Sequence, residues 1–118
     1  VNQAEVDAYI ERINTHEPIQ YILEEADFFG RSFRVTPDVL IPRPETELLV
    51  HEIIRHTKSI DQPAILDIGT GSGCIAISLA LKIPAEVHAI DVSLNALKVA
   101  QENATRLNAA VTFSEQDI

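Results

Sequence analysis

The sequence predicts an α/β fold in which a parallel βαβαβ sheet follows a small β-hairpin. Three observations carry this reading. Ala64-Ile65-Leu66-Asp67-Ile68 is an apolar run that reads as a buried parallel strand, and it ends in the turn Gly69-Thr70-Gly71-Ser72-Gly73. Helix-like and strand-like segments then alternate to the end of the chain. Ahead of them, Asp27 to Val35 alternates apolar and polar residues around Gly30.

Taken in order, residues Ala4 to Asn14 predict a short helix, with Val6, Tyr9, Ile10 and Ile13 on one face. Glu17-Pro18 breaks it. Asp27 to Val35, together with Val39-Leu40-Ile41, suggests a small β-hairpin with Phe28, Phe29 and Phe33 as its core. Pro42-Arg43-Pro44 stiffens the chain. Pro44 suits a first helical position, and Glu45 and Glu47 suit the positive end of a helix. That helix is expected to run to about Thr57 and to bury Leu49, Val50, Ile53 and Ile54. After the strand at 64–68, a helix spans Gly73 to Leu81, and Glu86 to Asp91 forms the next strand. Ser93 is placed to cap a helix running to about Leu107, with Leu97, Ala100, Ala104 and Leu107 as its inner stripe. A third strand starts at Val111–Phe113.

The 118 residues are 46% hydrophobic and 23% charged, an ordinary globular composition for one domain. A net charge of −9 argues against duplex nucleic acid as the main partner, because phosphate binding needs a surplus of Lys and Arg. No apolar run approaches membrane-spanning length, and no signal-peptide pattern is present. The single Cys74 has no internal disulfide partner, which suits the reducing cytoplasm. Cys74 reads as a small buried residue rather than a reactive thiol, although a helix start is where a thiol pKa falls. His51 and His56 do not share a helix face, His16 and His88 have no evident partner, and no metal site is expected.

A strand, a glycine turn and a helix in that order make a crevice for a nucleotide-like ligand. Gly71-Ser72-Gly73-Cys74-Ile75-Ala76 formally matches the dinucleotide fingerprint, which keeps an NAD-binding dehydrogenase as an alternative. Asp67-x-Gly69-x-Gly71-x-Gly73 instead resembles the first motif of Rossmann-like S-adenosylmethionine (SAM) methyltransferases. A carboxylate at the turn repels a pyrophosphate but attracts the ammonium and sulfonium of SAM. Asp91, at the end of the second strand, is placed to accept both ribose hydroxyls, with Val92 beside it. The expected cofactor-binding set is Asp67, Gly69, Thr70, Gly71, Gly73, Asp91, Val92 and Asp117. Asp117 has two readings, an acceptor for the adenine amino group or a solvated loop residue.

A second signature is more specific. Glu17-Pro18-Ile19-Gln20-Tyr21-Ile22, then Phe28-Phe29-Gly30-Arg31, then Leu40-Ile41-Pro42-Arg43-Pro44-Glu45-Thr46-Glu47 resemble the release-factor glutamine methyltransferases, the HemK/PrmC family. The resemblance runs from about Glu17 to Asp117. A related family that methylates a ribosomal-protein glutamine tends to carry a Pro-Arg-Ser sequence at the linker, so Arg43-Pro44-Glu45-Thr46-Glu47 favours the release-factor branch.

The resemblance implies a Rossmann-like SAM-dependent methyltransferase fold, here a truncated βαβαβ. It divides the chain into the end of an N-terminal helical domain at 1–26, a β-hairpin linker at 27–44, and the N-terminal half of the SAM-binding domain at 45–118. It implies methyl transfer to the side-chain amide nitrogen of the glutamine in the Gly-Gly-Gln motif of peptide-chain release factors. It places Arg43, Pro44, Glu45 and Thr46 at the border of the substrate and cofactor pocket, where a solvated helix start is the plainer alternative. The family holds the substrate amide with an Asn-Pro-Pro-Tyr loop after the fourth strand. The sequence ends at Ile118, before that strand, so it contains no catalytic residue of that kind. The chain is thus expected to be a fragment, inactive alone and less stable than an active parent. Methylation of an amino group in DNA or of a ribosomal protein, and a non-catalytic cofactor-binding fragment, remain as alternatives.

Overall fold

A computed structural model describes residues 2–118; Val1, the first residue of the expected 1–26 segment, lies outside the described residues. Helix α1 (Gln3–Asn14) starts where the Asn2 side chain accepts the Glu5 N–H. Its expected inner face is solvent-facing: Val6, Tyr9, Ile10 and Ile13 are all exposed. Pro18 ends this segment and opens another, because its carbonyl accepts the Tyr21 and Ile22 N–H groups and starts the short helix α2 (Ile19–Leu23). The sequence reading has no helix there.

Strands β1 (Glu25–Phe28) and β2 (Arg31–Arg34) pair antiparallel. Phe29 and Gly30 both take positive φ, 49° and 79°, as a two-residue primed turn requires. Gly30 accepts this freely, whereas Phe29 is held by its ring packing against Phe28 and His51, at 6.4 Å and 4.9 Å. Phe28 and Phe33 meet edge-on at 6.2 Å and are fully buried, each stabilising the fold by about 1.5–3 kcal/mol. The aromatic trio is hairpin core, as expected. Val39-Leu40-Ile41 is not part of the hairpin: it forms no strand, and Pro37 and Pro42 on either side lack the N–H groups a ladder needs.

Helix α3 (Thr46–Thr57) begins two residues later than Pro44 suggests. A turn leads into it, in which the Arg43 and Pro44 carbonyls accept the Thr46 and Glu47 N–H groups. Val50 is buried and Ile53 and Ile54 half-buried, but Leu49 is 49% exposed. The inner stripe therefore holds Val50, Ile53 and Ile54 as expected, and Leu49 alone falls outside it.

Strand β3 (Ala64–Ile68), helix α4 (Cys74–Lys82), strand β4 (Glu86–Asp91), helix α5 (Leu94–Leu107) and strand β5 (Val111–Glu115) form the parallel unit, in strand order β3-β4-β5. Both crossovers step in the same direction, so right-handed connections put α4 and α5 on one face. There Ala76 packs with Val87 and Ala89, and Ile77 and Leu79 cluster with Ala104. Strand β3 is consequently not buried on both sides: Leu66 and Ile68, pointing away from the helices, are 54% and 60% exposed. The Ser93 Oγ caps α5 by accepting the Ala96 N–H at 3.1 Å, and Asn108 ends it in the left-handed conformation. His88 has a partner after all, Glu86, at 3.1 Å.

Candidate functional site

The ends of β3 and β4 meet the Asp38–Arg43 segment across a cavity of about 310 Å³. Its inner wall is the glycine turn. The Gly69 and Thr70 N–H groups both donate to the Ile90 carbonyl, at 2.9 and 3.0 Å, which stitches the turn to the end of β4. Gly73 N–H then donates to the Thr70 carbonyl at 2.9 Å, and the Gly73 carbonyl accepts the Ile77 N–H to launch α4. The outer wall is Val39-Leu40-Ile41-Pro42-Arg43, tied to α2 by the Tyr21 hydroxyl, which donates to the Val39 carbonyl at 2.7 Å.

Asp91 stands where the walls converge. One carboxylate oxygen accepts the Gly71 N–H at 3.0 Å and the other accepts the Ser93 N–H at 2.9 Å. It therefore sets the loop and starts α5 while still bordering the cavity. Each carboxylate oxygen retains a lone pair for a further donor. Asp67 lies one hydrogen bond behind, accepting from the Thr70 hydroxyl at 2.8 Å. Burial pushes its carboxyl above the ordinary value, the Thr70 hydrogen bond opposes this, and the nearby Asp91 charge adds to the rise. Burial likewise pushes the Cys74 thiol up to about 11, so it stays protonated and unreactive despite its place at the start of α4.

Of the residues singled out in the sequence, the structure brings Gly69, Thr70, Gly71, Asp91, Arg43 and Thr46 to one cavity. Asp67 supports that cavity from behind through Thr70. Gly73 does not line it. A Cβ there would lie 3.0 Å from Ile77 Cδ1 and 3.2 Å from the Ala100 Cβ, so Gly73 is small in order to let α4 approach α5. A Cβ on Gly69 or Gly71 would meet nothing within 4 Å, because those positions face open space. Val92, Pro44, Glu45 and Asp117 also stand outside the lining. Val92 is exposed, and Asp117 lies beyond β5 near the chain end. Among the described residues, no group of three or more His, Cys, Asp or Glu side chains is gathered.

Sequence reasoning missed several contributors. Asp38 and Ile75 line the cavity, and Asn103 bonds the Ser72 carbonyl from α5. The one available signal for Asn103 is its place on the inner stripe of an amphipathic helix, between Ala100 and Ala104. Nothing local marks the other two.

Residues 65–118 match the family model described as a methyltransferase domain. The release factor glutamine methyltransferase of Bacteroides thetaiotaomicron is 52% identical over 117 residues, 98% of this chain and 41% of that protein. The enzyme of the same name from Koribacter versatilis is 47% identical over 117 residues, 98% of this chain and 42% of its own. The chain thus spans about two fifths of the length of these curated relatives. Among solved structures, magnesium protoporphyrin IX methyltransferase of Synechocystis, with bound S-adenosylhomocysteine, superposes at a TM-score of 0.56. It is 25% identical, over 62% of this chain and 34% of that one. The βαβαβ unit and its glycine turn are those of the Rossmann-like SAM-dependent methyltransferase fold, and over nearly its whole length the chain is similar in sequence to proteins named release factor glutamine methyltransferase.

Proposed function

We propose that the protein is a SAM-dependent methyltransferase that modifies the side-chain amide nitrogen of the glutamine in the Gly-Gly-Gln motif of peptide-chain release factors. The observation that carries this reading is the meeting, in one cavity, of the glycine turn with Asp91 on one side and Arg43 and Thr46 on the other. Relatives named for the release-factor reaction match this chain across both walls.

The residues present fit SAM. The open space at Gly69 and Gly71 lets a ligand lie against the backbone. Asp91 has acceptor capacity left for the ribose hydroxyls. Asp67 and Asp91 give the inner wall the negative charge that suits a cofactor carrying an ammonium and a sulfonium. Arg43 is the one cation on the lining among the described residues, suited to a carboxylate such as that of the methionine portion. When bound, SAM supplies an electrophilic methyl group, and the chain's own part is to hold it and to border the space from which an amide approaches.

The acidic balance and the apolar, proline-stiffened outer wall fit a protein partner better than a duplex. No helix among the described residues is long and apolar enough to cross a membrane. Release factors act in the cytoplasm, and the proposed reaction belongs there with its substrate. The test is mass spectrometry of a release factor incubated with the full-length protein and SAM. One added methyl on the Gly-Gly-Gln glutamine is the expected result. Transfer to DNA or to a ribosomal protein instead would overturn the substrate, and preference for NAD over SAM would overturn the cofactor.

A further inference from the structure

We propose that Asn103 is a positioning residue that fixes the cofactor loop, using the hairpin as its anchor. The proposal rests on the reading of this cavity as a SAM site.

Asn103 lies on α5 with no exposed surface, flanked by the buried Ala100 and Ala104. A carboxamide in such a stripe destabilises a fold unless its donors and acceptor are all met. Here they are all met. The Oδ1 accepts the Arg34 backbone N–H at 2.7 Å and the Arg106 guanidinium at 3.2 Å. The Nδ2 donates to the Arg34 carbonyl at 3.0 Å and to the Ser72 carbonyl at 2.9 Å. Two N–H donors and two acceptor lone pairs are the whole capacity of the group.

The two bonds to Arg34 take the N–H and the carbonyl of one residue, as a neighbouring strand would. They close the edge of β2 that faces away from β1. The fourth bond reaches the carbonyl between Gly71 and Gly73, whose φ values are 57° and 84°. Glycine backbones exchange between such conformations readily, so this peptide needs a fixed partner to keep one orientation. Asp91 takes the Gly71 N–H on the cavity side, and Asn103 takes the Ser72 carbonyl on the interior side. The loop is clamped from both. The other polar ties between hairpin and α5, Arg34 with Glu102 and Arg106 with the Ser32 carbonyl, involve exposed side chains and hold far less firmly.

A purely structural tie and a positioning residue differ in one measurable respect. Loss of stability leaves cofactor affinity untouched at temperatures where the variant is fully folded, whereas loss of positioning does not. Asn103→Asp keeps the shape and the acceptor for Arg34 but removes both donors. In the full-length protein, calorimetry well below the unfolding temperature is expected to show about a tenfold rise in the Kd for SAM, the scale of one lost hydrogen bond. Arg106→Gln leaves the Ser72 bond in place and is expected to change Kd less than about twofold, as a rim contact should. Wild-type affinity in folded Asn103→Asp would overturn the proposal. Absence of SAM binding in the wild type would instead overturn the functional reading, and this inference with it. Should Asn103→Asp fail to fold, the wild type still decides. On saturation with SAM, the Asn103 carboxamide resonances are expected to shift together with the Gly71 and Gly73 amides. Shifts confined to the glycines would overturn the coupling.

Discussion

The two walls of the cavity are built by different physics. The inner wall, Gly69 to Ser72 with Asp91, sits on the C-terminal ends of β3 and β4, and regular structure on either side supplies the bonds that shape it. The outer wall, Asp38 to Arg43, has no regular structure. It is held by prolines, by the buried Val39 and by one hydroxyl from Tyr21, and Leu40 on it is 86% exposed. Damage to the inner wall should therefore reach the whole fold. The outer wall should behave as a strap, whose ties can be loosened while the sheet stays intact.

The sharpest contrast is expected within the glycine turn itself. Gly73→Ala forces a Cβ at φ +84° against Ile77 and Ala100. Positive φ and overpacking together should cost about 2–4 kcal/mol. Thermal unfolding should show a fall of many degrees. Gly71→Ala meets open space and suffers the φ strain alone, so its stability loss should be about half as large or less. Equal losses at the two positions would mean that the α4–α5 contact has room to give.

Asp91→Ala is expected to come next. It frees the Gly71 and Ser93 N–H groups and removes the acceptors proposed for the ribose. SAM binding should weaken by roughly 1–3 kcal/mol. Calorimetry with unchanged affinity would take Asp91 out of the site and leave it as a loop brace.

How much of each wall was legible in the sequence follows from the same difference. The inner wall rests on local physics: an apolar run, alternating glycines, a carboxylate at a strand end and the Ser93 cap. Each of these leaves a mark within a few residues, and the elements from β3 to β5 lie where those marks put them. Which glycine faces the ligand was not legible, because that depends on Ile77 and Ala100 standing behind Gly73. Nor was the exposure of Leu66 and Ile68, which follows from both crossovers lying on one face. The outer wall offers only prolines and apolar residues, so in sequence Val39-Leu40-Ile41 looks like part of a hairpin. Its place at the cavity was visible through resemblance alone. Asn103 was hidden for a third reason: its partners Arg34 and Ser72 are distant in sequence and meet only in the folded chain.

Tyr21→Phe tests the strap. It removes the hydroxyl that donates to the Val39 carbonyl and little else. A loss of about 0.5–1.5 kcal/mol in stability is expected. The activity of the full-length protein should change through KM more than kcat, since the sheet and glycine turn are untouched. A variant that unfolds as readily as Gly73→Ala would show that the outer wall is no strap but part of the core.

The smallest effect expected is electrostatic and belongs to the inner wall alone. Burial holds the Asp67 carboxyl above its ordinary value, with the Thr70 hydroxyl opposing and Asp91 reinforcing the rise. A carboxyl raised in the folded state keeps its proton to higher pH there than in the unfolded chain. Folding is then favoured most at acid pH, and the contribution of Asp67 declines as pH climbs from the unfolded value through the raised folded value, levelling off above it. Asp67→Asn keeps an oxygen for Thr70 but has no charge to bury, so it removes this slope. Urea unfolding of both proteins from about pH 3 to about pH 7, spanning the carboxylate range, should show matching stabilities at the acid end. A small advantage for the variant should grow toward neutrality. Taking the difference between the two proteins cancels the carboxylates they share. A wild type that gains on the variant as pH rises would mean that the Thr70 hydrogen bond outweighs the loss of water around Asp67. Bound SAM should act in the opposite sense to burial. Its positive charge favours the ionised carboxyl, so binding at mildly acid pH should release protons, read as a dependence of the calorimetric heat on the ionisation enthalpy of the buffer. Buffer-independent heats in the wild type, or heats equally dependent in Asp67→Asn, would remove Asp67 from the electrostatics of the cavity.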